Sequence, residues 1–233
     1  MARRVQELTG EDVERLPGPC STCLFWELGA DCPQPRTRAV PPARPMVERH
    51  PSDPGIRKQA WVSARVQEGF PPGRLVVLDG QVAAFAAFAP AGAYAPRGLT
   101  VPQTSDDVVL LATAWVVPLH RGAGIGRLLI RAALREAVRL DARAVEVYGD
   151  RRFHDRSCTL PAGWLLHQGF EVHAEHPRTP LLRLDVRRTV RWAGSLEHAW
   201  EEVLGRLPQP APSLSPERTS TTVTGPGPRR PSV

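Results

Sequence analysis

The sequence has few of the features that mark a membrane-bound or secreted protein. Its 233 residues contain no run of about 18 apolar residues, so no membrane-spanning helix is predicted. The basic residues near its start are followed by no apolar stretch, which argues against a secretory signal. The expected location is therefore the cytoplasm, where thiols stay reduced. Its four cysteines are accordingly expected to be free thiols, metal ligands or reactive groups rather than disulfides.

Lysine is almost missing. Lys58 is the single lysine, so arginine carries nearly all of the positive charge behind a net charge of +6. Such a bias, with abundant alanine, proline and valine, is typical of a GC-rich genome. The basic pI is the only feature that would indicate a nucleic-acid partner, so such a partner is not predicted. A modest attraction for anionic ligands remains.

Four regions differ in composition. Residues 1–60 are predicted to form an irregular, Cys- and Pro-rich segment that packs on the core, and residues 61–188 carry the regular apolar patterning of that core. Residues 189–207 predict one C-terminal helix. Residues 208–233 are rich in Pro, Ser and Thr and poor in large apolar side chains, which predicts disorder.

The core alternates between the two apolar periodicities. Helices are predicted over 55–70, 125–141 and 160–167, where the apolar residues recur at helical spacing. The strands are predicted at 74–90 (a hairpin around Asp79-Gly80), 106–118, 142–150, 170–177 and 181–188. The long apolar strand at 106–118 indicates burial on both faces. The fold class is therefore α/β or α+β, with a mixed sheet flanked by helices.

Three glycines stand where a buried strand gives way to a helix. Gly122, Gly124 and Gly126 let a ligand approach the main chain, and the first N–H groups of a helix have no partner within it. Together with Arg121 and Arg127, these N–H groups predict an anion site suited to phosphate. The spacing fits neither a P-loop, which needs Lys then Ser/Thr, nor the Gly-x-Gly-x-x-Gly dinucleotide loop.

The stretch VVPLHRGAGIGRLLI resembles the acetyl-CoA signature of the GCN5-related N-acetyltransferases, the GNAT superfamily. That signature reads Arg/Gln-x-x-Gly-x-Gly/Ala after a strand that ends in Val-x-Pro. The order of the surrounding elements also matches, and WLLHQGFEV resembles the hallmark before the family's sixth strand. The resemblance covers about residues 74–186.

The resemblance implies a mostly antiparallel sheet whose fourth and fifth strands splay apart around acetyl-CoA. The main chain of Ala114, Trp115 and Val116 would pair with the pantetheine arm, with a free N–H near Val116 facing the thioester oxygen. The pyrophosphate would bind at the loop formed by Arg121, Gly122, Ala123, Gly124, Ile125, Gly126 and Arg127. The acetyl group would pass directly from the thioester to an amine.

Direct transfer needs a group that protonates the departing thiolate. Many relatives use a tyrosine four residues before the Gly of Gly-Phe, where this chain has Leu165. Tyr148 and Cys158 are the candidate replacements, and His154 is a weaker one. For the base, Glu146 is the main candidate beside Asp106 and Asp107. These residues also have ordinary structural explanations. Tyr148 would be a partly buried ring, Cys158 a small core residue and Glu146 a solvent-facing carboxylate.

The segment GPCSTCLFWELGADC has two interpretations. Cys20 and Cys23 have metal-ligand spacing and Cys32 adds a third sulfur, but only Cys158 or His50 could complete a zinc site, so no metal is predicted. The alternative is an apolar plug in which Cys23, Leu24, Phe25 and Trp26 pack on the core and help to choose the substrate.

These observations predict an acetyl-CoA-dependent N-acetyltransferase that acts on a primary amine of a small molecule, peptide or protein. The alternative is a catalytically weak acyl-CoA-binding regulatory module, since the usual acid is missing. The sequence predicts neither the identity of the acceptor nor the oligomeric state.

Overall fold

A mixed β-sheet organises the molecule. The computed structural model describes residues 3–30, 52–95, 104–153 and 158–187. Its strands are β1 (Arg3–Glu7), β2 (Gly73–Leu78), β3 (Gln81–Pro90), β4 (Val108–Val116), β5 (Ala144–Asp150), β6 (Leu160–Pro161), β7 (Glu171–Ala174) and β8 (Leu181–Asp185). Its helices are α1 (Phe25–Leu28), α2 (Pro54–Gln67), α3 (Ile125–Arg139) and α4 (Ala162–His167). The strand order is β1-β2-β3-β4-β5-β8-β7, and β6 pairs with the end of β5.

The local signals in the sequence account for the central elements. Asp79 and Gly80 both have positive φ, 46° and 83°, and they close the β2–β3 hairpin at the predicted turn. Helix α2 begins at Pro54 because the Asp53 carboxylate accepts hydrogen bonds from two main-chain N–H groups of its first turn. This helix crosses residue 60, where the sequence analysis placed the boundary of the core.

The N-terminal segment is less irregular than predicted. Arg3–Glu7 forms the edge strand β1 and pairs antiparallel with β2 over five residues. The sequence conceals this strand because its side chains are mostly charged and exposed, as is common at a sheet edge. The predicted apolar plug is present at the following helix α1, where Cys23, Leu24 and Trp26 are buried.

Strands β4 and β5 are parallel neighbours for only part of their length. They pair between Val108–Leu110 and Ala144–Glu146, while β4 continues to Val116 and β5 to Asp150. Close to this point β4 carries an extra residue, since Phe88 pairs with Leu111 but Ala87 pairs with Thr113. Ala112 is therefore a bulge, and the predicted divergence of the two strands begins beside it.

The sheet has two different faces. On the α3 face, the buried side chains of α3 and α4 pack on residues such as Val109, Val145 and Val147. The opposite side is called the aromatic face here, because Trp26, Tyr94 and Tyr148 are buried there. The predicted apolar stripe of α3 is confirmed: Ile125, Leu129, Ala133 and Ala137 are buried.

The remaining predictions on organisation lie outside the described residues. These are the C-terminal helix at 189–207 and the tail at 208–233, together with the roles considered for Cys32, His50 and His154. Among the helices in the described ranges, none is long and apolar enough to cross a membrane.

Candidate active site

The glycine loop connects β4 to α3 in a conformation that two of its glycines make possible. Gly122 and Gly124 have φ values of 81° and 74°, and a Cβ at either position meets nothing within 4 Å. Gly124 directly precedes α3, whose first main-chain bond runs from Leu128 N to Gly124 O at 3.2 Å. The N–H groups of the first turn thus lack helical partners and carry the positive end of the helix dipole.

The third glycine has a different role. A Cβ on Gly126 would lie 2.8 Å from Cζ2 of Trp164, so this position is needed for close packing of α3 against α4. Trp164 and Leu165 lie in α4, the helix where the resemblance implies a tyrosine in many relatives. Leu165 is completely buried in the core of the α3 face.

The two arginines around the loop are held by local contacts. Arg121 donates from Nε to the Val116 carbonyl at 3.2 Å, and its guanidinium lies 5.7 Å from the centre of the Trp115 ring. Arg127 donates to Gln168 at the long distance of 3.5 Å. Both arginines therefore lie beside the loop, where they add positive charge.

The last residues of β4 form a strand edge that does not pair with β5. Ala114, Trp115 and Val116 pair with β3 on one side and are partly exposed. Pairing with β5 has already ended at Leu110. An extended ligand with amide groups can pair with such an edge as an added strand.

Tyr148 lies on the aromatic face of β5. Its side chain is buried and its ring stacks on Trp26, with centroids 5.8 Å apart and an interplanar angle of 13°. Burial, with a smaller contribution from the charge of Glu146, raises the pKa of Tyr148 to about 12. The phenol therefore keeps its proton at neutral pH.

Cys158 differs from the sequence-based expectation. It is disulfide-bonded, whereas all four cysteines were expected to be free or metal-bound. A sulfur in this state has no proton to give, so the structure does not provide the thiol that the sequence suggested as a proton donor. The residue still belongs to the aromatic face, because its carbonyl accepts a hydrogen bond of 3.0 Å from Nε1 of Trp26.

Glu146 is completely buried at the last position where β5 pairs with β4. Its carboxylate accepts hydrogen bonds from Arg183 Nε at 2.9 Å and from Ser105 N and Oγ at 3.1 and 3.3 Å. Arg183 also donates from Nη2 to the same carboxylate at 2.5 Å. These hydrogen bonds use both carboxylate oxygens of Glu146 and connect β5 to β8 and to the segment before β4. Such an arrangement is typical of a side chain that positions its neighbours.

Asp107, another carboxylate considered as the base, directly precedes β4. Asp107 forms an ion pair of 3.2 Å with Arg143, and both side chains are more than half exposed. It is a surface pair of small energetic value.

Several features of the site have no signal in the sequence. Lys58 Nζ lies 2.5 Å from Glu27 Oε1 and 2.7 Å from the Cys23 carbonyl, and this buried pair joins α1 to α2. The partners of Glu146 come from Ser105 and Arg183, which are 41 and 37 residues away.

Metal ligands are not assembled in the described part of the chain. No group of three or more His, Cys, Asp or Glu side chains there could hold a metal ion.

Strands β4 and β5 part after Leu110 and a glycine loop leads into α3, which is the arrangement that the sequence resemblance implied. The family model described as "Acetyltransferase (GNAT) family" matches residues 37–158, which is more than half of the chain. The chain belongs to the GNAT acetyltransferase family.

Solved structures with a similar course of the chain are distant in sequence. One is yncA of Salmonella typhimurium with its cofactor acetyl-CoA, at 17% identity and a TM-score of 0.49, covering 80% of this chain and 95% of that one. Another is the PaiA N-acetyltransferase of Thermoplasma acidophilum with coenzyme A, at 12% identity and a TM-score of 0.49, covering 79% and 99%. No curated protein matches the chain.

Proposed function

We propose that this protein is an acetyl-CoA-dependent N-acetyltransferase that transfers the acetyl group directly to a primary amine. The observation that carries the proposal is the position of the glycine loop next to an open strand edge. Beyond Leu110, β4 has no β5 partner, and Gly122 and Gly124 then lead into the first turn of α3. An amide-bearing arm and a diphosphate are the two parts of one ligand that such an arrangement fits.

Acetyl-CoA supplies an activated acetyl thioester. The edge of Ala114, Trp115 and Val116 holds the pantetheine arm, and the N–H groups of the loop from Arg121 to Arg127 hold the diphosphate. The yncA and PaiA structures, which contain acetyl-CoA and coenzyme A, are consistent with this ligand.

Tyr148 is our candidate for the proton donor. The amine nitrogen must lose a proton when it bonds to the acetyl carbon, and the thiolate must gain one when its C–S bond breaks. Tyr148 holds a proton at its hydroxyl throughout the neutral range, because burial raises its pKa to about 12. Its stacking on Trp26 positions the ring that carries this hydroxyl.

Glu146 and Cys158 receive different roles from those first considered. The carboxylate of Glu146 already accepts hydrogen bonds from Ser105 and Arg183, so we assign it as a positioning residue that fixes β5 beside β4. Cys158 in its disulfide takes no part in proton transfer and instead supports Trp26 through its carbonyl.

The acceptor amine approaches from the aromatic face. Trp26 of α1 covers Tyr148 there, so we propose that the N-terminal segment helps to select the acceptor, whether a small molecule, a peptide or a protein. A cytoplasmic location is part of the same proposal and derives from the composition of the sequence alone.

Two measurements on the full-length chain test this function. Calorimetry with acetyl-CoA measures binding, and thiol release over a panel of primary amines measures transfer. Binding followed by amine-dependent thiol release supports the enzyme. Tight binding without release above background for any amine supports the alternative, a regulatory module that binds acyl-CoA.

A further inference from the structure

A row of arginines runs along α3 and begins in its first turn, beside the glycine loop. Arg127, Arg131, Arg135 and Arg139 follow one another at intervals of four residues. Residues at this spacing lie on one side of a helix, about 6 Å apart along its axis. Arg127 and Arg135 are exposed and Arg131 is partly exposed. These three residues are called the arginine ridge here.

The fourth arginine of the row is neutralised by a neighbouring carboxylate. Arg139 donates from Nε to the buried carboxylate of Glu136 at 3.0 Å, and the two side chains form an ion pair. In the part of the chain that the structure describes, Arg127 and Arg135 form no such pair, and Arg127 donates only to the neutral amide of Gln168. The ridge therefore keeps an excess of positive charge on this side of α3.

The guanidinium groups of the ridge lie close enough to repel one another. Burial lowers the pKa of Arg131, and the charges of Arg127 and Arg135 lower it further. Like charges at a spacing of four residues destabilise a helix. An anion bound along the ridge offsets this repulsion, so the surface is suited to a ligand with concentrated negative charge.

We propose that the arginine ridge binds the 3′-phosphate of coenzyme A and makes the protein selective for this phosphorylated carrier. The inference rests on the proposed function, in which the diphosphate binds at the glycine loop. The ribose of coenzyme A joins its 3′-phosphate to that diphosphate, so the two anionic groups lie close together. Arg131 is one helical turn beyond Arg127, which brings a second guanidinium within reach of the 3′-phosphate.

Arginine has the chemistry that this role requires. Its planar guanidinium pairs two N–H groups with two phosphate oxygens. It carries five N–H donors, so Arg131 can hold a phosphate oxygen while other donors of the same group make a further contact. The ridge extends for only about 12 Å from Arg127 to Arg135 and ends at the neutralised Arg139. This length favours one phosphate group over a polynucleotide, which binds through many phosphates.

Calorimetry of the full-length protein with two ligands tests the proposal. Coenzyme A and 3′-dephospho-coenzyme A share the diphosphate and the pantetheine arm and differ only in the 3′-phosphate. We expect the wild type to bind dephospho-coenzyme A about 10–100-fold more weakly, because the charge-assisted hydrogen bonds to that phosphate are missing. The double variant Arg131→Gln/Arg135→Gln should bind coenzyme A more weakly by a similar factor and bind dephospho-coenzyme A as the wild type does.

A matched control separates this contact from a general effect of charge. Arg4 on β1 and Arg57 on α2 are exposed, so Arg4→Gln/Arg57→Gln removes the same charge elsewhere and should keep the wild-type preference for coenzyme A. Equal affinity of the wild type for the two ligands overturns the proposal. So does a ridge variant that loses affinity for both ligands in parallel.

The outcomes for the ridge and for the proposed function can be told apart. A preference for coenzyme A in a protein that shows no amine-dependent thiol release refutes the proposed transfer alone. Amine-dependent thiol release with equal kcat/KM for acetyl-CoA and its 3′-dephospho form refutes the role of the ridge alone.

Discussion

The two faces of the sheet build the candidate site in different ways. On the α3 face the proposed binding groups belong to the main chain, at the edge of β4 and in the loop at Gly122 and Gly124. On the aromatic face the proposed functional groups are side chains, and Trp26 contacts both Tyr148 and the Cys158 carbonyl. The first arrangement depends on backbone conformation and tolerates many side chains. The second depends on a few side chains that distant segments bring together.

This difference predicts which substitutions matter. Changes that alter backbone conformation should act most strongly in the loop, whereas small changes of side-chain chemistry should act most strongly on the aromatic face.

The buried pair of Lys58 and Glu27 gives the largest expected effect. Lys58→Met leaves the Glu27 carboxylate buried without its cation, which we expect to lower the free energy of unfolding by about 3–5 kcal/mol in urea titrations. Arg143→Ala is the control, because it breaks an exposed pair with Asp107 and should cost less than about 1 kcal/mol. Equal losses in the two variants would contradict the structural role of the buried pair.

Tyr148→Phe tests the chemistry of the aromatic face. Removal of the hydroxyl should lower kcat about 10²–10³-fold and leave KM for acetyl-CoA nearly unchanged, since the ring can still stack on Trp26. The other tyrosine of the chain offers a matched control. Tyr94 is buried and its hydroxyl has no hydrogen-bond partner among the residues that the structure describes, so Tyr94→Phe should keep kcat and leave stability unchanged or slightly higher.

The pH profile of kcat provides a second test of Tyr148. Since its pKa is raised to about 12, the protonated donor is present below that value and is lost only as the pH rises through it. We therefore expect no alkaline decrease in kcat from this group below about pH 11. A decrease between pH 8 and 10 that disappears in Tyr148→Phe would contradict the raised pKa of Tyr148, whereas a decrease that persists in this variant belongs to another group.

Gly124→Val tests the main-chain site on the α3 face. The left-handed φ of 74° at this position is strained for a β-branched residue. We expect affinity for coenzyme A to fall about 10–100-fold in calorimetry, a loss of about 1.4–2.7 kcal/mol. Gly80→Val places the same side chain at a glycine with φ of 83° in the β2–β3 turn and should bind coenzyme A normally. Undiminished binding by a folded Gly124→Val protein would remove the basis of the diphosphate site.

Gly126→Ala has the smallest expected effect and separates packing from binding. The added methyl group must displace the Trp164 ring from 2.8 Å, which we expect to reduce stability by about 1 kcal/mol. Binding of coenzyme A should change less than in Gly124→Val, because the loop conformation before α3 is retained. A loss of binding without a loss of stability would show that Gly126 acts on the ligand instead.

The sequence predicted the α3 face better than the aromatic face for a physical reason. The apolar periodicity of α3, the Asp79-Gly80 turn and the glycines after β4 are local signals, and each acts within a few residues. The divergence of β4 and β5 followed from the family resemblance rather than from periodicity. The positions of both strands were nevertheless readable from their apolar runs.

The aromatic face depends on contacts that local patterns do not encode. Trp26 reaches Cys158 across 132 residues, and Glu146 meets Arg183 through the antiparallel register of β5 and β8. Nothing near Glu146 indicates that its carboxylate is already occupied. The edge strand β1 was missed for a related reason, since its charged side chains hide a strand that only pairing with β2 reveals.

The burial of Lys58 has a chemical consequence for a protein that handles activated acyl groups. Acylation of a lysine requires contact between its ε-amino group and the acyl donor. Nζ of Lys58 is buried and donates hydrogen bonds to Glu27 and to the Cys23 carbonyl. The folded chain therefore offers no accessible ε-amino group to its own reagent, because it has no second lysine. Amine-reactive labels should mark it on lysine only after unfolding, which makes such labelling a simple report of the native state.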